Sequence, residues 1–580
     1  MYVLGLNIGH NSTACLLKDG KIIGCISEER FSRIKNYYGI PIKSIQFLLN
    51  DNGISIDKLD FIVLDNHYID KEKENFTKSF IEAYTDKSKK KKILSKLGYK
   101  FPKLFNSYLN RKESLKNLKK REEKIRIQIS TKLDYPIEKI LVIDHHLTHT
   151  LSCLFNLTYE KNKNWLIFTL DGEGSGICAS VSTYNGHKLK IISKSKKTAS
   201  LGYLYALTTL YLGMKPLEHE FKVMGLAPYA KKDKINELYP KLKDLFWFDD
   251  LEFKSKFNMV FSDYFLETIK FYRFDNIAAS VQKLTEELIC EWINNAIKKT
   301  GICNIALSGG VFMNVKANKK ASEIPEVKDI FIMPSSGDES NAIGACLYGY
   351  KEYCERNNIK FEPKPIKNLY LGPVYDNSYI EDLIKREELI KKYKIKKYKN
   401  INKEVAKLLA KGEIIARCSG KSEWGARALG NRSILSSAKN HETIKILNET
   451  IKDRDFWMPF TPSILDKYSK RYIVNPKKIF SPYMVITFDS TKKAREEIPA
   501  AMHPYDQTVR PQVVTKDYNK DYYEIIEEFS KLTGIGGILN TSFNIHGEPN
   551  VLTPEDALYT VEKSDLKFLV MENYLFEKIS

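Results

Sequence analysis

Two stretches of the N-terminal half share one pattern of apolar and polar positions. Each stretch predicts three short apolar strands, with a loop of small and polar residues after the first strand and a tight Asx-Gly turn after the second. The predicted strands are 2–6, 13–17 and 21–26 in the first stretch and 165–170, 177–184 and 188–193 in the second. The pattern therefore predicts one β-unit that occurs twice.

A repeat of this kind is typical of enzymes whose two similar halves enclose a ligand. Actin-like and sugar-kinase-like folds are built in this way, and their hairpin loops hold phosphates through main-chain N–H groups. Two further apolar strands, 304–307 and 331–334, open into loops of small residues, and a helix is predicted at 342–356. We therefore expect an α/β N-terminal domain that is actin-like, a duplicated ribonuclease-H-like fold.

The character of the chain changes between residues 361 and 376, where three prolines lie among charged residues. Such stretches are typical of linkers. We therefore place a domain boundary near residue 360, with one domain over 1–360 and a second over 361–580. Predicted strands, helices and loops with cationic residues alternate after the boundary, which indicates a second α/β domain.

The composition of the chain predicts its cellular location and identifies one strongly charged segment. The 580 residues contain no apolar run of transmembrane length, no signal-peptide pattern and no C-x-x-C pair among nine cysteines, so we expect a cytoplasmic protein without a membrane span. The formal charge of +20 is concentrated in 87–126, where 16 Lys and Arg accompany 3 Glu. Apolar residues at helical spacing predict a basic helical insertion at about 70–130.

That insertion has two interpretations. It is a solvated helical face of a lysine-rich chain, or it is a patch for an anionic substrate, a nucleotide-sugar or a membrane surface. No motif in the sequence supports nucleic-acid binding, which is therefore not favoured.

His145 and His149 lie four residues apart, a spacing that places both imidazoles on one face of a helix. Two such nitrogens can hold a divalent metal, and the loop carboxylates of Asp171 and Asp338 are the natural ligands to complete the set. Two ordinary helical histidines are the alternative. Iron, zinc and manganese all suit these ligands. His146 faces away from the pair.

Other residues indicate anion binding. Ser308-Gly309-Gly310 follows an apolar strand and either lets the main chain approach a phosphate or forms a strand-to-helix turn. Lys35 is either a phosphate contact or an exposed lysine. In the second domain, six cations lie in loops, where arginine binds carboxylates and phosphates bidentately; surface ion pairs are the alternative for any one of them. They are Lys421, Arg427, Arg432, Lys452, Arg454 and Arg510.

Taken in order, motifs along essentially the whole chain resemble the O-carbamoyltransferase family of the nodulation, cephamycin and tobramycin type. The N-terminal motifs are GHNS at 9–12, EERF at 28–31, DHHLTH at 144–149, KVMGLAP at 222–228 and SGGV at 308–311. The C-terminal motifs are RALGNRS at 427–433, TVRPQ at 508–512 and NTSFN at 540–544.

The resemblance implies an N-terminal domain similar to the tRNA threonylcarbamoyl-transferase of the actin-like ATPase (ASKHA) superfamily, and a YrdC-like C-terminal domain. Carbamoyl phosphate and ATP would give carbamoyl-adenylate in the second domain. An acceptor hydroxyl would then take the carbamoyl group at the metal site of the first domain. The implied metal ligands are His145, His149, Asp171 and Asp338, with Fe²⁺ as the expected ion. The residues implied in binding ATP, carbamoyl phosphate or the adenylate are Lys35, Ser308, Gly309, Gly310, Asn314, Lys421, Arg427, Arg432, Lys452, Arg454, Arg510 and Asn540.

The loop after the first strand supplies the predicted catalytic residues. His10 is the candidate to take the hydroxyl proton, because an imidazole titrates near neutral pH. Asn11 stands beside it where relatives often have Asp. An amide can neither act as a base nor pair with an ammonium group, so a basic antibiotic is disfavoured as the acceptor. Met458 precedes Pro459-Phe460 where some members have Arg, which removes one phosphate contact.

We expect a small-molecule hydroxyl acceptor, sugar-like or a natural product, and the basic insertion weakly favours an anionic sugar or nucleotide-sugar. A homodimer is one expected assembly. Two other functions stay open. One is a tRNA-modifying transferase with the same adenylate chemistry, in which the basic segment binds RNA. The other is a non-catalytic ATP-dependent switch of the actin-like type, which the cations of the second domain argue against.

Overall fold

The chain divides into two compact units. The computed structural model describes residues 1–66, 81, 115–157, 163–256, 263–452 and 454–579. The first unit consists of Met1–Glu28 and Asn36–Ile366, and the second of Glu29–Lys35 and Lys367–Ser580. The division lies close to the expected boundary near residue 360, but the sequence does not predict that Glu29–Lys35 belongs to the second unit. The basic window 87–126 lies mostly outside the described residues, apart from its last part in a helix.

The first unit contains two five-stranded sheets of the same construction. Each has an antiparallel three-stranded meander followed by two strands parallel to the first, in the orders β3-β2-β1-β4-β5 and β8-β7-β6-β11-β12. Strands β9 and β10 form a separate ribbon. The predicted duplication is therefore confirmed. The strands are β1 (Tyr2–Asn7), β2 (Thr13–Lys18), β3 (Lys21–Ser27), β4 (Phe61–Asp65), β5 (Ile140–Ile143), β6 (Trp165–Gly174), β7 (Ile177–Tyr184), β8 (Leu189–Lys196), β9 (Phe246–Asp249), β10 (Glu252–Ser255), β11 (Asn304–Ser308) and β12 (Asp329–Ile332).

Two helices of the first unit lie between its sheets. The helix α3 packs on β6, β7 and β11 of the second sheet, α10 packs on β1, β2 and β4 of the first, and α3 also packs on α10. The strands beneath them are apolar at successive positions because they are buried on both faces. The named helices of this unit are α1 (Ile42–Asp51), α2 (Leu115–Leu133), α3 (His145–Leu157), α4 (Leu201–Tyr211), α5 (Glu220–Leu226), α6 (Lys232–Lys243), α7 (Asp263–Ile269), α8 (Phe274–Thr300), α9 (Val315–Glu323) and α10 (Asn341–Arg356).

Gly344 sets the distance between α3 and α10. A Cβ at this position would collide with the main-chain carbonyl of Thr148, so no other residue fits without separating the helices. The Thr148 hydroxyl donates to the Asn341 side-chain oxygen at 2.9 Å, which joins the same two helices by a buried hydrogen bond. The two helices therefore have a fixed register, and His145 and His149 on α3 have a fixed position relative to the start of α10.

The second unit is built on one eight-stranded mixed sheet of order β13-β22-β21-β14-β15-β20-β16-β19, with β17 and β18 as a short pair. The α/β class predicted for this part of the chain is therefore confirmed, whereas the bounds 361–580 and the YrdC-like identity of a second domain stay predictions. The strands are β13 (Tyr393–Lys397), β14 (Ile415–Cys418), β15 (Arg432–Ser436), β16 (Thr461–Leu465), β17 (Ile473–Val474), β18 (Asp489–Ser490), β19 (Gln512–Val514), β20 (Gly537–Ser542), β21 (Phe568–Met571) and β22 (Tyr574–Lys578). The helices are a single helical turn (Glu29–Ser32) and the longer or later elements α11 (Asn377–Arg386), α12 (Ile401–Ala410), α13 (Glu442–Leu447), α14 (Ser469–Tyr472), α15 (Lys492–Glu497), α16 (Lys520–Thr533) and α17 (Pro554–Glu562).

Within the described ranges, no helix combines the length and the apolar character that crossing a bilayer requires.

Candidate functional site

The four predicted metal ligands come from three elements of the first unit. His145 and His149 lie in the first two turns of α3, which begins directly after β5. The Asp144 carboxylate accepts a hydrogen bond from the Leu147 N–H at 2.9 Å and so caps the start of this helix. Asp171 lies near the carboxyl end of β6, and Asp338 follows β12. The sequence-predicted set is therefore brought together by the ends of strands.

The four ligand atoms lie within 4.8 Å of one another. His149 Nε2 is 3.0 Å from Asp171 Oδ2 and 3.5 Å from Asp338 Oδ1, and His145 Nε2 is 3.5 Å from both oxygens. Donors about 2.1 Å from a shared ion lie about 3.0 to 3.4 Å apart at right or tetrahedral angles. The donor set and its spacing therefore fit a divalent metal.

A second layer of side chains orients the histidines. His145 Nδ1 lies 2.7 Å from Asp65 Oδ2, at the end of β4, and both side chains are fully buried. His149 Nδ1 lies 3.3 Å from the Ser340 hydroxyl and 3.4 Å from that of Ser308. A carboxylate on the outer nitrogen of a metal-binding histidine fixes its tautomer and strengthens it as a ligand.

The charges of the cluster favour a cation. Burial alone lowers the pKa of an imidazole, but the neighbouring carboxylates, Asp338 foremost, outweigh burial and raise the pKa of His145 well above its usual range. The pKa of His149 is raised in the same way by Asp171 and Asp338. Burial opposes ionisation of Asp171, yet hydrogen bonds from the two histidines hold its pKa well below its usual range. Without a metal, protons supply the positive charge that these carboxylates require.

His146 faces away from the cluster, as helical spacing predicts. Its Nδ1 lies 2.8 Å from the Thr169 hydroxyl and its Nε2 lies 3.2 Å from the carbonyl oxygen of Ile177. Burial and the two neighbouring histidines lower its pKa well below the usual range. His146 is therefore a neutral core residue that joins α3 to the second sheet.

The first hairpin loop also reaches this region. The Asn11 side-chain amide donates to Glu339 Oε2 at 3.3 Å, next to the predicted ligand Asp338. Glu339 is buried, which raises its pKa, and the Ser335 hydroxyl donates to its other oxygen. His10 Nε2 is buried without a hydrogen-bond partner among the described residues. The catalytic roles predicted for His10 and Asn11 stay predictions.

The predicted phosphate loop, Ser308-Gly309-Gly310, adjoins the four predicted metal ligands. Gly309 has φ +102°, and a Cβ there would collide with the Leu170 carbonyl, so the strand-to-helix turn requires glycine. A Cβ on Gly310 would stand 3.0 Å from Asp171 Oδ1. Ser308 is fully buried beside His149. The Asn314 side chain accepts from the Ala317 N–H at 3.0 Å and so caps α9. The ligand contacts predicted for these residues stay predictions.

A second cluster, here called the cation cluster, lies in the second unit after β20. It comprises Lys35, Arg427, Lys452, Arg454 and Arg510. Lys452 ends a π-helical turn, Asn448–Lys452, and its ammonium group donates to the Ser542 carbonyl, to Asn544 Oδ1 at 3.0 Å and to the Asn544 carbonyl at 3.1 Å. Arg454 donates to the Thr541 hydroxyl at 2.9 Å and stacks on the Phe460 ring at 4.7 Å.

Burial opposes the positive charge on three members of the cation cluster. Among the described residues, Lys452, Arg454 and Arg510 form no ion pair with a carboxylate, although Lys452 is only 3% exposed. Burial, with Arg454 and Lys35 nearby, lowers the pKa of Lys452 well below its usual range. Burial and neighbouring arginines lower the pKa of Arg454 to about 10 and that of Arg510 well below its usual range. Buried cations without a counter-charge are costly unless an anion joins them.

Three further predicted residues lie elsewhere in the second unit. Lys421 is exposed. Asn540 is buried in β20 and donates to Ala428, Ser463 and Gln512, so it connects the sheet to the loop before β15. Arg432 is buried, and its guanidinium donates to the main-chain carbonyls of Ser419, Gly420, Asn431 and Leu552. These contacts indicate a structural role for Arg432, and its predicted ligand contact stays a prediction.

Sequence reasoning missed Asp65, Glu339 and the position of Lys35. Asp65 had a usable signal, because it directly follows an apolar run in its strand, as Asp171 does. Glu339 adjoins a predicted ligand. Lys35 had no such signal, since residues on both sides of Glu29–Lys35 belong to the first unit.

The chain is therefore an α/β protein with a metal-compatible carboxylate–histidine cluster in its first unit and the cation cluster in its second. Residues 2–347 match the carbamoyltransferase N-terminus family and residues 406–578 match the carbamoyltransferase C-terminus family. The chain belongs to the carbamoyltransferase family and is a transferase. The resemblance seen in its motifs is confirmed.

Two relatives match all or nearly all of the chain. The chain is 31% identical over 590 residues to an uncharacterized protein of Methanocaldococcus jannaschii, covering 100% of both. It is 29% identical over 581 residues to nodulation protein NolNO of Sinorhizobium fredii, covering 98% of this chain and 79% of the relative.

Solved structures are more distant. Full-length HypF aligns with 12% identity and a TM-score of 0.36 over 62% of this chain and 47% of its own. Component A of the (R)-2-hydroxyglutaryl-CoA dehydratase of Acidaminococcus fermentans aligns with 15% identity and a TM-score of 0.32 over 61% and 98%. Scores this low carry no argument about fold or function.

Arg432→Met should destabilise the second unit, because four main-chain carbonyls would lose a charged donor. We expect a loss of about 3 kcal/mol, seen as a lower midpoint of thermal unfolding. Arg386→Met is the matched control, since Arg386 forms an exposed ion pair with Glu555 in the same unit, and it should change the midpoint little. If Arg432→Met left the midpoint unchanged but abolished ATP binding, the ligand role would be right and the structural role wrong.

Proposed function

We propose that the chain is an ATP-dependent O-carbamoyltransferase that makes carbamoyl-adenylate in its second unit and transfers the carbamoyl group in its first. The observation that carries this proposal is that Lys452, Arg454 and Arg510 of the cation cluster lack a carboxylate counter-charge among the described residues, although burial lowers the pKa of each. Carbamoyl phosphate and ATP are both anionic and supply that charge. Water first displaces phosphate from carbamoyl phosphate to give carbamate. A carbamate oxygen then attacks the α-phosphorus of ATP and displaces pyrophosphate, which gives carbamoyl-adenylate. AMP is a good leaving group, which suits later attack by a neutral alcohol.

Within the cation cluster, each side chain has a defined task. The planar guanidinium groups of Arg427, Arg454 and Arg510 suit bidentate binding of phosphate oxygens. The Lys452 ammonium is already held by Ser542 and Asn544, so it supplies a positioned charge and loses little freedom when phosphate binds. Such preorganised charges stabilise the negative charge that develops on the departing pyrophosphate.

In the first unit, the hairpin loop with His10 and the carboxylate–histidine cluster would carry out the transfer. The acceptor hydroxyl attacks the carbamoyl carbon, AMP leaves, and the hydroxyl proton moves to a base. His10 Nε2 is suited to take that proton, because it has no hydrogen-bond partner among the described residues. A divalent ion, with Fe²⁺ proposed, held by His145, His149, Asp171 and Asp338 would supply Lewis-acid stabilisation of the phosphate charge.

The proposed acceptor is a sugar-like or natural-product alcohol. The Asn11 amide donates to Glu339, so this position presents no carboxylate to an ammonium-bearing acceptor. A neutral or anionic hydroxyl compound is therefore favoured over a basic one.

The central test is to incubate the full chain with ATP, carbamoyl phosphate and Fe²⁺ and to measure carbamoyl-adenylate by mass spectrometry. Lys452→Met should lower its formation about 100-fold, because one positioned charge at the phosphates is lost. Lys439→Met, an exposed lysine of the same unit, is the matched control and should be unaffected. Absence of adenylate from the wild-type chain with every metal tried would overturn the proposal.

A pool of hydroxyl compounds, with tRNA as a separate arm, would then be screened for a mass gain of one carbamoyl group. Modification of a small molecule without RNA supports the proposal. Modification of tRNA alone would replace it by the tRNA-modifying alternative.

Measuring the metal content tests whether the carboxylate–histidine cluster binds a metal, independently of activity. The wild-type chain should retain about one divalent ion after reconstitution and dialysis, and His149→Ala should lose it. Asp65→Asn should weaken the affinity 10- to 100-fold, by about the usual effect of an outer-shell partner. His187→Ala, which removes an exposed histidine, is the control. Equal metal content in His149→Ala and His187→Ala would contradict the assignment.

The lowered pKa of Lys452 gives a pH prediction. A lysine whose pKa is depressed in the free protein loses its proton at lower pH than usual, and a bound phosphate raises that pKa again. ATP binding should therefore take up a proton, and affinity should fall as pH rises through the depressed pKa. Calorimetry in two buffers of different ionisation enthalpy measures the uptake, and Lys452→Arg should abolish it because arginine stays protonated. Buffer-independent heats for the wild-type chain from about pH 6 to 9 would refute this.

A further inference from the structure

The segment Glu29–Lys35 belongs to the second unit, although the residues on both sides of it belong to the first. Seven residues therefore leave one unit and return to it. A short excursion of this kind holds its place only if its own side chains bind the second unit firmly, because its main chain carries no strand that joins the sheet. Two arginines make such contacts.

Arg33 makes the more extensive set. Its Nη1 donates to the Asn550 carbonyl at 2.8 Å and its Nη2 to the Pro549 carbonyl at 2.9 Å, so the guanidinium grips two successive main-chain oxygens. Its Nη2 also lies 3.5 Å from Glu548 Oε2 and its Nε 3.7 Å from Asp556 Oδ1. The planar fork of arginine matches this arrangement, whereas the single ammonium of lysine cannot.

Arg30 fastens the other end of the segment. It is buried, and its Nη2 donates to the Gly425 carbonyl at 3.0 Å. Gly425 stands two residues before Arg427 of the cation cluster. The segment is therefore tied at one end to the loop that carries Arg427 and at the other to residues 548–556.

The loop that Arg33 grips also holds Lys452. The Asn544 amide donates to the Glu548 carbonyl at 2.9 Å, and Asn544 Oδ1 accepts from Lys452 Nζ at 3.0 Å. His546 Nδ1 lies 2.9 Å from the Lys452 carbonyl. Arg33 is therefore connected to Lys452, the most buried cation of the cluster, through the main chain at 548–550 and the hydrogen bonds of Asn544. Lys35, two residues after Arg33, is close enough that its charge contributes to the lowered pKa of Lys452.

We propose that Arg33 is a positioning residue of the adenylate-forming site. By gripping the carbonyls of Pro549 and Asn550, it holds Glu29–Lys35 on the second unit and so delivers Lys35 to the cation cluster, where Lys35 binds phosphate oxygens of ATP. This inference rests on the proposed function of that cluster. It makes the site of the second unit incomplete without a piece of the N-terminal sequence.

A double-mutant cycle on the full chain tests the proposal, with ATP as the probe and its dissociation constant as the readout. Lys35→Met should weaken ATP binding about tenfold, which is the loss of one phosphate contact. Arg33→Met should weaken it by a similar factor, although Arg33 itself does not touch ATP. The double variant should bind no more weakly than either single variant, because Lys35 is already misplaced when Arg33 is absent.

Two comparisons separate positioning from general stabilisation. Arg33→Lys keeps the charge but not the fork, and should restore binding only in part; it also serves if Arg33→Met fails to fold. The salt dependence of ATP binding should become shallower to the same extent in Arg33→Met and Lys35→Met, since each loses the same charge from the site. Arg386→Met is the control, because Arg386 pairs with Glu555, which lies on the same helix as Asp556. This variant should match the wild-type chain in both ATP affinity and salt dependence.

The outcomes are distinguishable from failure of the proposed function. If the wild-type chain neither binds ATP nor forms the adenylate, the proposed function fails. If the wild-type chain is active and Arg33→Met lowers only the unfolding midpoint, with ATP affinity unchanged, Arg33 is merely structural and the inference is overturned. Additive losses in the double variant would overturn it as well, because the two residues would then act separately.

Discussion

The carbonyl group of Thr148 occupies the space that a Cβ on residue 344 would need, so α3 and α10 touch through their main chains. This contact decides where His145 and His149 stand relative to the loop that carries Asp338, since that loop leads directly into α10. The sheets on either side supply Asp65 and Asp171 from strand ends. The whole carboxylate–histidine cluster thus depends on one backbone approach, and interiors packed this tightly cannot adjust it gradually.

The two units concentrate opposite charges, and in each the imbalance is costly by itself. In the first unit, carboxylates around two buried histidines favour a cation, and protons take that role when no metal is bound. In the second, Lys452, Arg454 and Arg510 lie close enough to one another or to Arg427 for like charges to lower their pKa values, and within the described ranges none of the three pairs with a carboxylate. Ligands of opposite sign offset both costs. The function that we propose uses both kinds of ligand, anionic phosphates in the second unit and a divalent cation in the first.

Local patterns predicted much of this arrangement. The paired hairpins indicated a duplicated β-unit, and the two sheets have the same order and directions. The four-residue spacing of His145 and His149 required only that a helix form, which Asp144 helps to begin. Arg432 shows where the same reasoning stops. The residues around Arg432 resemble those around Arg454 in composition. The Arg432 guanidinium nevertheless donates to main-chain carbonyls of other segments, including those of Gly420 and Leu552. Only the folded path of these segments distinguishes the two arginines.

The sequence by itself determined which elements form, which residue types could bind a metal or a phosphate, and to which family the motifs belong. These properties depend on the identity and spacing of neighbouring residues. Tertiary structure alone decided that Asp65 contacts His145, that the Arg432 guanidinium donates to four main-chain carbonyls, and that Glu29–Lys35 belongs to the second unit, where Lys35 lies near Lys452. Those outcomes depend on contacts between residues tens to hundreds of positions apart. Forming such contacts costs chain entropy, which the packing of the whole unit offsets, and patterns of neighbouring residues do not contain that packing.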